Sequence, residues 1–143
     1  MRAAAAPGGL CREARRTDFG MTNSHAKTQF SMITDEVKSQ LYTSNVKQVI
    51  LCGLETHVCV LQTAIDLLEG GYEVHVCVDA VCSQRMGDKR IALERLKQIG
   101  CFMASSEMLF FQGLKPSVKA KEHPAFKEIS QLSKLKRDDT YWM

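Results

Sequence analysis

The sequence has no long apolar run and only a small excess of charge of one sign. No apolar segment approaches the ~18 residues that a membrane-spanning helix requires. The formal net charge is +3, and the basic residues are scattered apart from Lys134, Lys136 and Arg137 near the end. Binding to nucleic acid through charge requires a larger and more clustered excess. The sequence therefore predicts neither a membrane nor a nucleic acid as a partner.

The sequence also lacks the spacings that indicate disulfide frameworks and metal sites. It has six cysteines but no Cys-x-x-Cys pair, and Cys52 and Cys77 fall inside apolar segments. Free, buried thiols in a reducing compartment are therefore expected. No cluster of metal ligands is formed by the four histidines, which are His25, His57, His75 and His123. We expect no metal and no other cofactor, since a Gly-rich phosphate loop is missing as well.

The two ends of the chain show no hydrophobic periodicity. Residues 1–26 are rich in Ala, Gly and Arg, which favours a disordered leader. The four arginines in this segment are also a feature of mitochondrial presequences. We expect a cytoplasmic protein, with a mitochondrial or peroxisomal location as the alternative. The polar residues 134–143 are expected to form a frayed tail.

Apolar runs and helical periods alternate through the rest of the chain. Apolar runs predict strands at 48–52, 73–79 and 101–104, and amphipathic spacing with capping residues predicts helices at 34–43, 57–69 and 84–99. A shorter helix capped by Ser105 or Ser106 and a last one from Pro124 follow. Alternating strands and helices predict adjacent parallel strands joined by right-handed crossovers. The predicted fold class is therefore α/β.

The strongest functional signal lies where the first predicted strand meets the next helix. Val49 to Leu51 predict a buried strand, Gly53 turns the chain, and a helical period starts at Val60. Cys59 stands at the joint, in the first turn of that helix. A strand, a sharp turn, a nucleophile and a helix form a nucleophile elbow, and a helix N-terminus favours a thiolate and a neighbouring oxyanion. Without further support, Cys59 would more often be a small buried hydrophobe.

Three motifs in this order are shared with one known family. They are Lys27 to Met32 (KTQFSM), Gly53 to Val60 (GLETHVCV) and Val78 to Arg85 (VDAVCSQR). Together they resemble the isochorismatase-like hydrolases, in particular the eukaryotic isochorismatase domain-containing proteins. The resemblance implies a three-layer, Rossmann-like parallel sheet. This chain would hold about the C-terminal half, three strands with flanking helices, as a partial domain at 27–133.

The resemblance implies the Asp–Lys–Cys catalytic set of those members of the family that carry the cysteine. Lys27 and Cys59 match the lysine and the cysteine, although an isolated lysine is normally a solvated surface residue. The thiolate of Cys59 would attack a carbonyl carbon and form an acyl-enzyme that water then hydrolyses. The resemblance also implies oxyanion donors in the backbone N–H groups of Glu55 and Cys59. A cis peptide bond between Leu54 and Glu55 is implied as well.

The aspartate of that set has no counterpart. In the family it ends the first strand, but the only aspartate before Lys27 is Asp18, which no apolar strand precedes. General-base catalysis typically raises the reaction rate 10²–10⁴-fold, so its loss alone would be enough to make turnover negligible. We therefore expect an N-terminally truncated hydrolase domain, ancestrally specific for a small amide or related C–N bond and inactive in this chain. The alternatives are a non-catalytic truncated isoform that acts through protein–protein contacts, and a poorly folded product.

Two further polar residues near these motifs have weaker claims to a catalytic role. His57 is two residues from Cys59, and such residues point away from each other on a helix, so no direct contact is expected. Asp79 ends a predicted strand, at the side of the sheet where α/β sites lie. A structural role for Asp79, as a hydrogen-bond acceptor for the region of Ser83, is the stronger interpretation.

The strand at 48–52 is expected to form an exposed edge of the sheet. The resemblance places the missing strand of the family beside it. Its unpaired backbone and apolar side chains would invite pairing with another chain. A homo-oligomer, or self-association through this edge, is therefore the expected assembly. The small-molecule substrate stays unknown.

Overall fold

The computed structural model describes residues 25–113 and 126–134. The predictions for residues 1–24, for His123 and Pro124, and for the tail beyond Lys134 lie outside these described residues. Among the described helices, none has the length and apolar character that crossing a membrane requires.

Strands and helices alternate through the described part of the chain. They are α1 (Asp35–Thr43), β1 (Gln48–Leu54), α2 (Leu61–Glu69), β2 (Glu73–Cys82), α3 (Met86–Gln98), β3 (Phe102–Ala104), α4 (Ser106–Gly113) and α5 (Phe126–Leu132). A π-helical turn, Thr56–Val60, connects β1 to α2. These elements agree with the predicted alternation, and the observed β1 and β2 extend beyond the predicted strands at their carboxyl ends.

The three strands form one parallel sheet in the order β1-β2-β3. Ile50 pairs with His75, which in turn pairs with Phe102, so one row of side chains crosses the sheet. The register between β1 and β2 shifts between Leu51 and Gly53, where Gly53 adopts a φ of 121°. Only glycine enters that backbone region without strain. The α/β class and the order of three adjacent parallel strands are thus confirmed.

The hydrophobic core lies on one face of this sheet, beneath α2 and α3. Val74, Val76 and Val78 of β2 are fully buried there, because alternate residues of a strand point to the same face. Leu67 of α2 and Leu96 of α3 pack onto them and are buried as well. Each such side chain contributes about 1.5–3 kcal/mol when buried. This face therefore holds α2 in place, and with it the turn that carries Cys59.

β1 is not the buried strand that its apolar residues predict. Val49 and Leu51 pack partly against the core, but Ile50 is 57% exposed and Cys52 is exposed. The reason is its position at the edge of the sheet, where the described residues leave the face opposite the core largely open at β1. The prediction of a buried Cys52 is therefore wrong, whereas Cys77 is buried. The described cysteines are free.

The helix caps follow the predicted chemistry. The Thr34 hydroxyl accepts a hydrogen bond from the N–H of Val37 at 3.3 Å, which caps α1. The Ser105 hydroxyl accepts one from the N–H of Met108 at 3.2 Å at the start of α4. Of the two serines that were candidates for this cap, Ser105 takes the role, and Ser106 has a different partner.

Candidate active site

The π-helical turn places Cys59 just beyond the carboxyl end of β1. Within this turn the carbonyl oxygen of Glu55 accepts hydrogen bonds from the N–H groups of Val58 and Val60, at 3.2 and 3.1 Å. The sequence predicts the first turn of an ordinary α-helix here, and that detail is wrong. No residue pattern marks a single wider turn, although such turns are frequent at functional sites.

Lys27 lies beside Cys59 although 32 residues separate them in the sequence. The Lys27 Nζ lies 3.8 Å from the Cys59 Sγ. The same ammonium donates hydrogen bonds to the carbonyl oxygens of Gln29, at 2.9 Å, and of Phe30. These contacts hold a positive charge next to the sulfur.

Thr63 joins the lysine segment to the cysteine turn. Its buried hydroxyl accepts the N–H of Met32 at 2.9 Å and donates to the carbonyl oxygen of Cys59 at 2.6 Å. This bridge explains how a lysine in an irregular segment keeps a defined position relative to Cys59. Sequence reasoning missed Thr63. The available signal was a hydroxyl on the inward face of the helix, where it must find a partner.

Glu55 connects the segments that follow β1 and β2. The Leu54–Glu55 peptide bond is cis, as the resemblance implies. The Glu55 Oε2 accepts a hydrogen bond from the backbone N–H of Gln84 at 2.9 Å. The resemblance assigns the backbone N–H groups of Glu55 and Cys59 to the oxyanion. Both groups thus belong to one short segment after β1, which the Glu55 side chain connects to the segment after β2.

His57 contacts Ser83 rather than Cys59. Its Nδ1 lies 2.9 Å from the Ser83 Oγ and 3.8 Å from the Glu55 Oε2. Within the described residues His57 makes no hydrogen bond to the sulfur of Cys59, as its spacing predicts. His57 therefore reinforces the link between the segments after β1 and β2.

Asp79 anchors α4 to β2. Its carboxylate accepts the N–H of Ser106 at 2.7 Å and the Ser106 hydroxyl at 2.6 Å, and the Cys77 Sγ donates to it at 3.2 Å. Burial alone would raise the pKa of Asp79, but the hydrogen bonds from Ser106 and Cys77 together lower that pKa below its ordinary value. A structural acceptor was the predicted role. The predicted partner region was wrong, since Ser83 turns towards His57.

The described residues hold no carboxylate hydrogen-bonded to the Cys59 sulfur or to the Lys27 ammonium. Glu55, four residues before Cys59, accepts the N–H of Gln84 instead. Asp18 lies outside the described residues. Within residues 25–113 and 126–134, these hydrogen bonds identify no counterpart of the aspartate of the Asp–Lys–Cys set.

The described residues show no cluster of metal ligands, and two cavities lie beside the segment that carries Lys27. In residues 25–113 and 126–134, no three His, Cys, Asp or Glu side chains come together in a way that could hold a metal ion. A cavity of about 270 Å³ beside Lys27 is lined by Ala26, Thr28, Gln29 and Thr34. A second one, of about 730 Å³, extends from the same segment towards α2. Cys59 lines neither of these two cavities.

Fold and site together define a parallel α/β domain with a cysteine, paired with a lysine, beyond the carboxyl end of an edge strand. The family model described as the isochorismatase domain matches residues 13–108. This chain belongs to that family. The match begins inside the segment predicted to be a leader, and the boundaries of 27–133 stay a prediction.

Individual relatives agree with this assignment. The isochorismatase domain-containing protein 2 of Danio rerio is 44% identical over 117 residues, which cover 81% of this chain and 57% of that protein. The structure of the MAR1 ribonuclease from Caenorhabditis elegans has a TM-score of 0.70 at 42% identity, over 80% of this chain and 56% of its own. The nicotinamidase PncA from Bacillus subtilis has a TM-score of 0.54 at 30% identity, over 55% and 44%. The chain spans less than two thirds of each.

Proposed function

We propose that Cys59 and Lys27 are the nucleophile and the active-site cation of an isochorismatase-like hydrolase that cleaves a small amide or a related C–N bond. The observation that carries this proposal is the 3.8 Å contact between the Lys27 Nζ and the Cys59 Sγ. An ordinary surface lysine, surrounded by solvent, is not expected to lie beside a cysteine from a distant part of the sequence. The structural neighbour named a nicotinamidase supports an amide as the substrate class.

The proposed reaction is acyl transfer through a thioester. The Cys59 thiolate attacks the carbonyl carbon, and the Lys27 ammonium stabilises the negative charge of the sulfur before the attack. The carbonyl oxygen becomes an oxyanion that accepts hydrogen bonds from the backbone N–H groups of Glu55 and Cys59. The C–N bond breaks, the amine leaves with the proton that the Cys59 thiol has released, and water hydrolyses the thioester to the acid and the free thiol.

The acceptor for the proton of Cys59 is the missing part of this scheme. The described residues supply no carboxylate at the thiol, and general-base catalysis typically contributes 10²–10⁴-fold. We therefore propose that this chain alone turns over at least about 100-fold more slowly than a chain in which a carboxylate is placed there.

The test is a comparison of this chain with a chimera that carries the amino-terminal part of a full-length relative. Both are assayed on a panel of small amides, with RNA as a second substrate class. We expect amide hydrolysis by the chimera and its loss in Cys59→Ala and Lys27→Ala variants. Cys52→Ala and Lys38→Ala are the matched controls, because both residues are exposed and Cys52 lies away from the turn.

Two outcomes would contradict the proposal. Amide hydrolysis that persists in the Cys59→Ala chimera would remove the nucleophile from the scheme. Equal rates for the chimera and this chain, both dependent on Cys59, would show that a residue of this chain already serves as the base.

A further inference from the structure

The outer side of β1 has no strand beside it in the described part of the chain. β1 pairs with β2 on its inner side and is the first strand of the order β1-β2-β3. Prolines and charged residues usually keep an edge strand from pairing with another chain. The segment Gln48–Leu54 contains neither. Ile50 and Leu54 are 57% and 47% exposed on the open face. An edge with these properties is a template for another strand.

We propose that the outer edge of β1 binds the same edge of a second copy of this chain, in antiparallel orientation and centred on Leu51. A two-fold axis at Leu51 sets each β1 residue opposite a defined residue of the other copy. Gln48 then faces Leu54 of the partner subunit, Val49 faces Gly53 of the partner subunit, and Ile50 faces Cys52 of the partner subunit. The two three-stranded sheets become one sheet of six strands, and a two-fold contact closes at the dimer.

This register keeps the two faces of the joined sheet consistent. Residues directly opposite each other in an antiparallel pair point to the same face. Val49 and Leu51, which pack on the core, meet residues of the core face, whereas Ile50 meets Cys52 on the open face. A shift of the pairing by one residue would oppose core-facing and open-facing residues. Moving the two-fold axis to a neighbouring residue keeps the faces but leaves two residues of each β1 without a partner.

The charges that flank β1 are complementary in this arrangement. Lys47 precedes the strand and Glu55 follows it. Antiparallel pairing about Leu51 brings Lys47 of one copy towards Glu55 of the partner subunit at both ends. Lys47 is exposed. The Glu55 side chain is 30% exposed, although its Oε2 also accepts the Gln84 N–H, so both can respond to a charge from outside. A parallel, in-register pairing would instead bring Lys47 to Lys47. The charge pattern thus favours a second, antiparallel copy as the occupant.

The contact is small, so we expect a weak dimer. One seven-residue edge buries much less than the ~1,600 Å² of a standard interface. A dissociation constant of about 10–100 µM is therefore expected.

The first test is sedimentation velocity of the full chain between about 1 and 500 µM. We expect a reversible monomer–dimer equilibrium. Ile50→Lys, a change at an exposed position, should raise the dissociation constant at least about tenfold, because it places a charge in the centre of the edge. Lys47→Glu should weaken the dimer about tenfold. Lys97→Glu is the matched control, since Lys97 is exposed near the end of α3, next to the opposite edge strand β3, and it should stay within about twofold.

The second test fixes the register by cross-linking. Ile50→Cys places a thiol opposite Cys52 of the partner subunit, and oxidised glutathione then accepts the two electrons as the disulfide forms. Residues 50 and 52 of one strand are too far apart to bridge within a copy. We expect a covalent dimer whose peptide map joins positions 50 and 52. Tyr42→Cys, 86% exposed on α1, is the control and should give no comparable dimer.

Other outcomes would overturn the proposal. A monomer at every concentration excludes the dimer. If the β1 amides that do not bond to β2 were protected from hydrogen exchange in that monomer, another segment of the same chain would cover the edge. Cross-links at other positions, or growth into larger species without a limiting dimer, would rule out the closed two-fold pairing.

Discussion

Thr63 is the residue on which the geometry of the candidate site depends. It bonds the N–H of Met32 and the carbonyl oxygen of Cys59 through one buried hydroxyl. Thr63→Val keeps the shape but leaves both backbone groups without this partner, so we expect a loss of about 1–3 kcal/mol of unfolding free energy. Thr43→Val, which removes an exposed hydrogen bond to Ser39, should cost less than about 0.5 kcal/mol. Urea unfolding of both variants is the measurement, and equal losses would contradict this role.

At Thr56, the same substitution to valine is expected to raise the free energy of unfolding instead of lowering it. Its hydroxyl is fully buried and has no hydrogen-bond partner within the described residues. A buried polar group without a partner costs about 1–3 kcal/mol, and valine has nearly the same shape. We expect Thr56→Val to raise the free energy of unfolding by about 1 kcal/mol. Destabilisation in the same urea experiment would show that the hydroxyl has a partner outside the described residues.

The thiols should react at different rates because of their burial. Burial and the Asp79 carboxylate raise the pKa of Cys77 to about 12, and burial raises the pKa of Cys101 to about 11. At pH 8 the thiolate fraction of Cys77 is therefore about a thousandfold below that of an ordinary thiol of pKa 9.0. Iodoacetamide labelling mapped by mass spectrometry should modify Cys59 well before either of them. Equal labelling of Cys59 and Cys101 would contradict this order.

The same two thiols make stability fall at high pH. Their folded-state pKa values lie above the ordinary value of 9.0, so the folded chain retains protons that the unfolded chain has released. The stabilisation from the neutral thiols is complete below pH 9 and is lost as the pH rises towards 11 and 12.

Motifs identified two residues of the candidate site but not their hydrogen-bond partners. Lys27 and Cys59 were identified from the resemblance, and the structure brings them together. Hydrogen bonds from Thr63 and between His57 and Ser83 depend on where α2 and β2 lie in space, which local sequence does not encode. Cys52 was misjudged for the same reason, because exposure depends on what covers a strand.

For the helices and strands, the sequence predicts that an element exists and of which type it is. It predicts less well what packs around that element. The run Val49–Leu51 identified β1, but an apolar run looks the same in a central strand and in an edge strand. Capping chemistry identified the start of α1 and of α4 because those hydrogen bonds are local. The π-helical turn at Thr56–Val60 was not predicted, since nothing in its five residues distinguishes it from an α-helical turn.

The docking of α4 on β2 should depend on pH through Asp79. Hydrogen bonds from Ser106 and Cys77 outweigh the effect of burial and lower the pKa of Asp79 below 3.8. Its stabilisation is therefore present above that value and is lost as the pH falls through the lower folded-state pKa. Asp79→Asn should remove this acid-dependent part of the stability, as unfolding measured between pH 6 and 2 would show. Asp66→Asn, on α2, is the control, and an equal change in both variants would contradict the assignment.

At the scale of the whole molecule, the α/β class was predictable because strand and helix signals alternate. One face of the sheet is closed by α2 and α3. The chain spans 57% of its Danio rerio relative, and the described residues leave the outer side of β1 without a strand. The proposed dimer would satisfy that edge, whereas the proposed activity depends on a carboxylate at Cys59. Each of these two proposals has its own test.

We propose that Cys59, supported by Lys27, is the nucleophile that accepts the acyl group. Mass spectrometry after brief exposure to a small activated ester tests it directly, since a good leaving group reduces the need for a general base. We expect an acyl adduct on Cys59 before any other thiol, and at least about tenfold slower acylation in Lys27→Ala than in Lys38→Ala. Acylation of Cys52 as fast as that of Cys59, or an unchanged rate in Lys27→Ala, would contradict these roles of Cys59 and Lys27.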